Sequence, residues 1–323
     1  MYNKIIGIIY GGYSSENQIS KLSCNNIFNV LKDNYKNLFK VEISHDRWVV
    51  YDKNNVSYFI NKKEFSFVIN SKLKKFDLVI NMIHGSPGED GEFAKYLNKL
   101  NIHNNSLTPD IARLTQDKFN CNKKAKSIGI NTPNNIKLEN KNDLKLIYDK
   151  IKFPCFVKPN SGGSSIGVSK VNELKDLENA VNIAFKEDEI ILIEEFIEGR
   201  EFSVGAIEWK NKLKILPITE IKTKNIFFDF EAKYNGKSEE ITPAKISNKL
   251  HNQLKLNILK IYKEFNLKGI VRCEFIVKNN KAYLLDINNI PGMTKESIII
   301  KQLKIAKIPL KNYYDSVIHK HLK

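Results

Sequence analysis

The first hundred residues alternate between two hydrophobic periods. "KIIGIIYGG" is a short β-branched run ending in glycines, and "ENQISKLSCNNIFNVLK" follows it with apolar residues at helical spacing. "KKFDLVINMIHGSPGEDG" reads as a strand running into a Gly-rich loop, with "EFAKYLNKLN" as the helix behind it. Repeated strand–loop–helix units predict a parallel sheet with its site at the carboxyl ends of the strands. Over residues 106–150 the pattern turns helical, and "TQDKFNCNKKAKSIGI" closes at "NTPNN". From 151 the character is antiparallel: "FPCFVKP", "GVSKV", a helix over 173–187, then "EIILIEEFI" and "REFSVGAIEW". The last third joins a helix over 247–265 to the hairpin "GIVRCEFIVKNNKAYLLDIN", which turns on a polar "KNN". The expected division is 1–105, 106–199 and 200–323, an α/β unit followed by two α+β units.

Composition narrows the classes. A chain of 323 residues has room for two or three separate cores. No run approaches the roughly 18 apolar residues that a membrane span needs. The first residues read as a strand rather than a signal peptide, and the cysteine usage fits a cytosolic protein. Cys24, Cys121, Cys155 and Cys273 are far apart, without C-x-x-C spacing, which fits reduced structural thiols and argues against zinc. The net charge of +16 raises the question of nucleic acid, but the excess is lysine scattered among Asn and Ile. Arginine is confined to Arg47, Arg113, Arg200 and Arg272, too few for a base-reading surface, so no nucleic-acid partner is expected.

Five stretches carry candidate chemistry. "FVKPNSGGSSIGVSKV" places Lys158 before a Gly/Ser cluster. Glycines let a backbone approach a phosphate and lysine adds a point charge, yet the same residues suit a slack hairpin loop. In the last hairpin Asp286 and Asn288 share a face, and Glu274 joins them if the register places it opposite. Two carboxylates and an amide oxygen suit Mg²⁺ that also holds substrate phosphates. "EEFIEGREF" follows a strand and carries Glu194, Glu195, Glu198 and Glu201. These acids suit an adenine edge and a ribose, although a solvated turn is the simpler reading of the stretch alone. His84 in "HGSPGEDG" and Glu16 in "GGYSSENQIS" stand at a strand terminus and a helix entry, where structural and capping roles are the ordinary ones.

A Lys-then-Gly/Ser loop, an acidic strand exit and an acidic hairpin, in that order, resemble the ATP-grasp enzymes. With the flanking "GGYSSENQIS", "HGSPGEDG", "QDKF", "FFDFEAKY", "TPA" and "NNIPGMT", the chain resembles the D-alanine–D-alanine ligase family over nearly its full length. The resemblance implies an ATP-grasp fold with an N-terminal Rossmann-like parallel-sheet domain. It also implies ligation of two D-alanines through an acyl phosphate, for peptidoglycan precursors, by an enzyme that is commonly a homodimer.

The site residues follow from the resemblance position by position. Lys118 and Lys158 neutralise the nucleotide phosphates, and the loop of Ser161, Gly162, Gly163, Ser164 and Ser165 folds over them. Glu194, Glu195 and Ile197 line the adenine pocket, and Glu201 takes the ribose. Glu274, Asp286 and Asn288 hold two Mg²⁺ (or Mn²⁺) ions. Glu16 binds the ammonium of the first D-alanine beside His84. Arg272 and the Gly292 N–H stabilise the oxyanion, and Ser297 receives the second carboxylate. Lys233 and Tyr234 lie on a closing loop, with Tyr234 directed toward Ser164 and Glu16. The chain departs from the family in three places. Glu274 and Asp286 stand where Asp and Glu are usual, Asn289 and Ile290 replace Thr and a small residue, and "HNNSLTP" replaces a Tyr-Thr-Gly-Ser stretch.

Overall fold

The structure is a computed structural model, and it describes residues 4–163, 165–223 and 238–322. Strand β1 (Ile6–Gly11) is buried along its whole length, as expected of a central parallel strand. It leads into helix α1 (Asn17–Leu31), whose Cys24, Ile27, Phe28 and Leu31 pack against the sheet. Strands β2 (Leu38–Ile43), β3 (Trp48–Tyr51) and β4 (Ser57–Phe59) come next, then the hairpin β5 (Ser66–Ile69) and β6 (Lys72–Lys75). Strand β7 (Leu78–Asn81), helix α2 (Glu92–Lys99) and β8 (His103–Asn104) complete the first unit. Among the described residues the sheet order is β4-β3-β2-β1-β7-β8, and β2, β1, β7 and β8 run parallel.

The outer part of this sheet departs from the strand–loop–helix expectation. β3 and β4 pair antiparallel beyond β2, and no helix lies between β2 and β7 among the described residues. Local turn chemistry explains it. The Asp52 Oδ1 atom accepts from the N–H groups of Asn54 and Val56, both at 2.9 Å, and Asn55 takes the left-handed conformation at φ 61. That turn reverses the chain before a helix can start.

Helices α3 (Pro109–Gln116) and α4 (Lys118–Ser127) follow. Asp117 caps α4, its carboxylate accepting from the Asn120 N–H. The central sheet is formed by β9 (Asn135–Leu138), β10 (Cys155–Pro159), β11 (Ser169–Val171) and β12 (Ile191–Glu195), with helix α5 (Leu177–Ala184) on it. Its order is β11-β10-β12-β9, all antiparallel, around a core of its own that includes Leu138, Val157, Val181 and Ile193.

The third sheet carries β13 (Arg200–Trp209), β14 (Lys212–Ile215), β15 (Thr219–Thr223) and β16 (Ser238–Ile241). Helix α6 (Asn248–Glu264), capped by Ser247, leads to β17 (Ile270–Lys278) and β18 (Lys281–Asn288). The β17–β18 turn uses Asn279 and Asn280, both at positive φ, a conformation that asparagine tolerates better than most residues. Helices α7 (Ile298–Ile305) and α8 (Leu310–His321) close the chain.

These last helices determine where the ends of the chain meet. Ile299, Leu303, Tyr313 and Tyr314 share one core with Ile6, Ile8, Ile27 and Phe28. The first and last units are therefore packed as one body, which fixes the entry of α1 relative to the strands β17 and β18. All four cysteines are free and buried. Among the described residues no helix is long and apolar enough to cross a membrane.

Candidate active site

A cavity of about 960 Å³ opens between the central sheet and the third sheet. One wall comes from β10, β12 and the Gly/Ser loop between β10 and β11, and the other from β13, β17 and β18. Lys158 and Glu194 face each other across β10 and β12. Phe156 pairs directly with Glu194, so Lys158, two residues further on, lies on the same face. Lys158 Nζ sits 2.6 Å from Glu194 Oε1, with the two side chains 11% and 4% exposed. Glu194 Oε2 is buried with no hydrogen-bond partner among the described residues. A polar ligand edge reaching it would satisfy an atom that the fold leaves open.

Lys118 opens α4 and points its Nζ at the Gly162 carbonyl, 2.6 Å away. Asn160, which the sequence reading did not select, ties the two together. Its Oδ1 accepts from the Phe119 N–H at 2.9 Å, and its Nδ2 donates to Asp117 Oδ1 at 3.0 Å. The Ser161 N–H donates to Asp188 Oδ2 at 2.7 Å. Gly162 adopts φ 101 and Gly167 φ 71, and Ser165 also lies in the left-handed region at φ 59. The glycines are thus needed for conformation. At Gly163 a Cβ would stand 2.9 Å from Glu16 Oε2, so a side chain there would push the Glu16 carboxylate aside. The Gly/Ser loop and the entry of α1, 147 residues apart in sequence (163 − 16), are in contact.

The acidic wall lies on β17 and β18. Glu274 pairs directly with Asp286, and Arg272 with Asn288. The register shifts between Glu274 and Phe275, because Phe275 pairs with Leu284 and Leu285 is the extra residue. The bulge turns both Leu285 and Asp286 toward the cavity, which the two adjacent leucines of "LLD" did not reveal. Glu274 Oε1 accepts from Arg272 Nε at 2.6 Å, Ser203 Oγ at 3.3 Å and Asn288 Nδ2 at 3.4 Å. Glu274 Oε2 is buried and has no hydrogen-bond partner among the described residues.

That orphaned oxygen, the Asp286 carboxylate and the Asn288 Oδ1 form a donor set of hard oxygens that fits Mg²⁺ or Mn²⁺. No group of three or more His, Cys, Asp or Glu residues is placed to hold a metal among the described residues. A cation here would need further oxygens from a ligand such as phosphate. Soft donors are excluded. Cys273 lies between Arg272 and Glu274 but faces the core, and burial, followed by the Glu274 charge, pushes its thiol well above the usual range. Burial likewise raises the Cys121 thiol.

Several expected residues share this cavity. Lys118, Lys158, Ser161, Gly162, Gly163 and Ser165 line one side. Glu194, Glu195, Ile197 and Glu201 line the far end, and Glu274 and Asp286 the acidic wall. Arg272 and Asn288 adjoin through Glu274. Glu195 is exposed and accepts from Asn134 Nδ2 at 2.8 Å. Phe156, Phe196 and Lys170 also line it. The two rings lie edge to face at 5.7 Å, with Lys170 Nζ 3.8 Å from the Phe196 centroid. The sequence held no spacing that would single them out.

The remaining residues lie around the start of α1: Ser14 Oγ donates to the His84 carbonyl at 2.8 Å, and a Cβ on Gly292 would come within 3.9 Å of Ile19. His84 is 5% exposed, and its Nδ1 stands 4.0 Å from Glu89 Oε1. Its Nε2 has no hydrogen-bond partner among the described residues. Gly292 sits against Ser297, whose Oγ accepts from the Thr294 N–H at 3.0 Å. Ser297 also stands at the N-terminal end of α7, where unsatisfied N–H groups favour an anion. Ser164, Lys233 and Tyr234 lie outside the described residues.

Comparison with known proteins agrees with this arrangement. The model for the D-ala D-ala ligase N-terminus matches residues 5–105, and that for the D-ala D-ala ligase C-terminus matches residues 125–319. The D-alanine–D-alanine ligase of Flavobacterium johnsoniae is 41% identical over 317 residues, covering 98% of each chain. That of Azobacteroides pseudotrichonymphae is 41% identical over 320 residues, covering 98% of this chain and 99% of the relative. The D-alanyl-alanine synthetase A of Vibrio cholerae superposes with a TM-score of 0.87 at 23% identity, over 100% of this chain and 99% of that one. The Bacillus anthracis ligase crystallised with ATP superposes at 0.78, with 27% identity, over 99% and 97% of the chains. The fold is that of the ATP-grasp enzymes, and the chain belongs to the D-alanine–D-alanine ligase family.

Proposed function

We propose that the protein ligates two D-alanines to D-alanyl-D-alanine with conversion of ATP to ADP and phosphate, supplying peptidoglycan precursors in the cytoplasm. The carrying observation is the meeting of three groups around one space: the Lys158–Glu194 pair, the Glu274–Asp286–Asn288 wall, and the Gly163–Glu16 contact. The adenine lies between Phe156, Ile197 and Leu285, with its exocyclic amine toward the orphaned Glu194 Oε2 and its ribose on Glu201. Lys118, Lys158 and the N–H groups of the Gly/Ser loop neutralise the phosphates. Glu274, Asp286 and Asn288 would hold two Mg²⁺ or Mn²⁺ ions, which supply charge neutralisation at the transferring phosphoryl group.

The first D-alanine is held by its ammonium on Glu16, with His84 beside it, so that its carboxylate faces the terminal phosphate. A carboxylate oxygen bonds to that phosphorus and ADP departs, leaving an acyl phosphate. The amine of the second D-alanine, its carboxylate on Ser297 and the start of α7, bonds to the acyl carbon and loses a proton. Arg272 and the Gly292 N–H receive the charge that develops on the carbonyl oxygen, usually a large contribution in acyl transfer. The intermediate collapses with loss of phosphate. Ser164, Lys233 and Tyr234 complete the site by resemblance, excluding water.

The units 1–105, 106–199 and 200–323 and a homodimer are part of the same reading, supported by the family resemblance and checked by limited proteolysis and sedimentation. The main test is phosphate release from ATP with D-alanine, against L-alanine, with mass detection of the dipeptide. D-lactate and D-serine serve as competing second substrates, because a structure with TM-score 0.85 and 25% identity is a D-Ala:D-Ser ligase from Enterococcus faecalis. D-specific release with stoichiometric dipeptide is expected, and ATP binding without turnover would refute the reading.

A further inference from the structure

Helix α1 carries a polar stripe that reaches the ends of β1 and β7 and the segment before α7. Glu16, Ser20, Ser23 and Asn26 follow one another at helical spacings of four, three and three, so they share one side of the helix. Ser20 is fully buried, and its Oγ accepts from the Gly11 N–H at 2.9 Å while donating to the Met82 carbonyl at 2.6 Å. Those two atoms lie where β1 and β7 run into the loops of Glu16 and His84. Further along the stripe, Ser23 Oγ accepts from the Met293 N–H at 3.0 Å, and Asn26 Nδ2 donates to the Met293 carbonyl at 2.7 Å. Both backbone groups of Met293 are thus bound to the helix that begins at Glu16. The Met293 side chain is itself completely buried.

We propose that Ser23 and Asn26 are positioning residues for acyl transfer, clamping Met293 so that the neighbouring Gly292 N–H is held at a fixed distance from Glu16. This rests on the ligase function proposed above. The clamp matters there because the first D-alanine is bound by Glu16 at one end of α1 and its developing oxyanion by Gly292. An oxyanion donor acts only if it is already aimed when charge develops. The other residue of the oxyanion site, Arg272, belongs to β17 and is placed independently through Glu274. Loosening the clamp therefore slows the second half of the reaction selectively. The acyl phosphate still forms. Aminolysis, in which the amine nitrogen bonds to the acyl carbon, the acyl C–O bond to phosphate breaks and the amine proton leaves on the phosphate, loses ground to water. Hydrolysis returns D-alanine and phosphate without dipeptide.

The test compares wild type, Ser23→Ala and Asn26→Asp for ATP KM, dipeptide turnover, and the ratio of phosphate released to dipeptide formed. Asn26→Asp keeps the shape but places a carboxylate oxygen against the Met293 carbonyl, and its site is only partly buried, so it guards against a folding failure of the Ser23 variant. We expect dipeptide turnover to fall on the order of tenfold, less than the 10²–10³ that follows outright loss of an oxyanion donor. ATP KM should stay at the wild-type value and the phosphate-to-dipeptide ratio should rise above one. A merely structural role would lower the active fraction and leave the ratio unchanged, which would overturn the inference. Wild-type protein that makes no dipeptide would overturn the ligase reading, whereas active wild type with variants at an unchanged ratio overturns the clamp alone.

Discussion

Replacing Lys158 by Met tests the energetics of the cavity between the central and third sheets most directly. Its ammonium is the only ion-pair partner found for Glu194 among the described residues, at 2.6 Å, with side-chain exposures of 11% and 4%. Glu194 Oε2 has no partner at all within the same residues. Truncating one side of such a pair leaves an uncompensated charge away from water, which costs about 3–5 kcal/mol, whereas replacing both sides by apolar groups is near neutral. Because the pair borders an open cavity, some water reaches the stranded carboxylate, and the lower end, about 3 kcal/mol, applies. Lys158→Met/Glu194→Leu should return to within about 1 kcal/mol of wild type, so the two changes are strongly non-additive. Urea denaturation followed by circular dichroism measures this, provided the slope with denaturant stays constant. Nucleotide binding supplies a second readout. Saturating ATP at about 100 times Kd stabilises the wild type by about 2.7 kcal/mol, and both variants should lose that increment. If the single variant is no less stable than the double, the pair does not hold Glu194 in place and the argument fails.

Further changes follow from the same geometry. Gly163→Ala would place a Cβ 2.9 Å from Glu16 Oε2, so the carboxylate must retreat. D-alanine KM should rise on the order of three- to tenfold with ATP KM unchanged, as seen in steady-state kinetics. Glu274→Asp withdraws the carboxylate from Arg272 Nε and should weaken Mg²⁺-dependent ATP binding about tenfold in a thermal-shift titration, while Glu274→Asp/Asp286→Glu recovers most of it. At alkaline pH, burial holds the Tyr96 phenol up to about 12, and pushes Tyr10, Tyr262, Tyr313 and Tyr314 well above their ordinary value. Their neutral forms favour the fold, so this stability is complete below pH about 10, the unfolded value, and is lost as pH rises toward 12. Phenolate absorbance should lag behind that of free tyrosine and appear together with unfolding.

Much of this was legible in the sequence, for identifiable physical reasons. Lys158, the glycines after it and Glu274 on β17 stand close in sequence to the elements that hold them, so alternation and turn chemistry place them, whereas Asp286 reaches the cavity only through the bulge at Leu285. The antiparallel pairing of β10, β11 and β12 could be anticipated from the shift in character at 151, but β9 (Asn135–Leu138), which completes that sheet, lies inside the stretch read as helical. The parts not legible depend on contacts distant in sequence. Nothing in "SKLSCNNI" announces that Ser23 and Asn26 bind the backbone of a residue some 270 positions away. Asn160 reads as one more turn residue until its side chain is seen bridging α4 to the Gly/Ser loop. The outer strands β3 and β4 were missed because an Asx turn at Asp52 overrode the strand–helix rhythm of their neighbours.

The exchanged acids of the hairpin show how such long-range geometry absorbs a local departure. Glu274 and Asp286 are directly opposed across β17 and β18, so their carboxylates converge on the same space from two backbones. Moving one methylene from the β18 acid to the β17 acid keeps their combined reach and shifts the meeting point toward β18. In this chain the longer acid has a use for its length. Glu274 reaches Arg272, Ser203 and Asn288 with one oxygen and still leaves Oε2 buried and unpartnered toward the cavity. The bulge at Leu285 meanwhile re-aims the shorter Asp286, which the regular pleat would not have done. The departure from the family pattern therefore changes which strand carries the reach, while the number and hardness of the oxygens offered to a cation remain the same. An Asp at 274 with the Asp at 286 left in place would shorten the β17 acid and leave short acids on both strands, so the two positions have to change together.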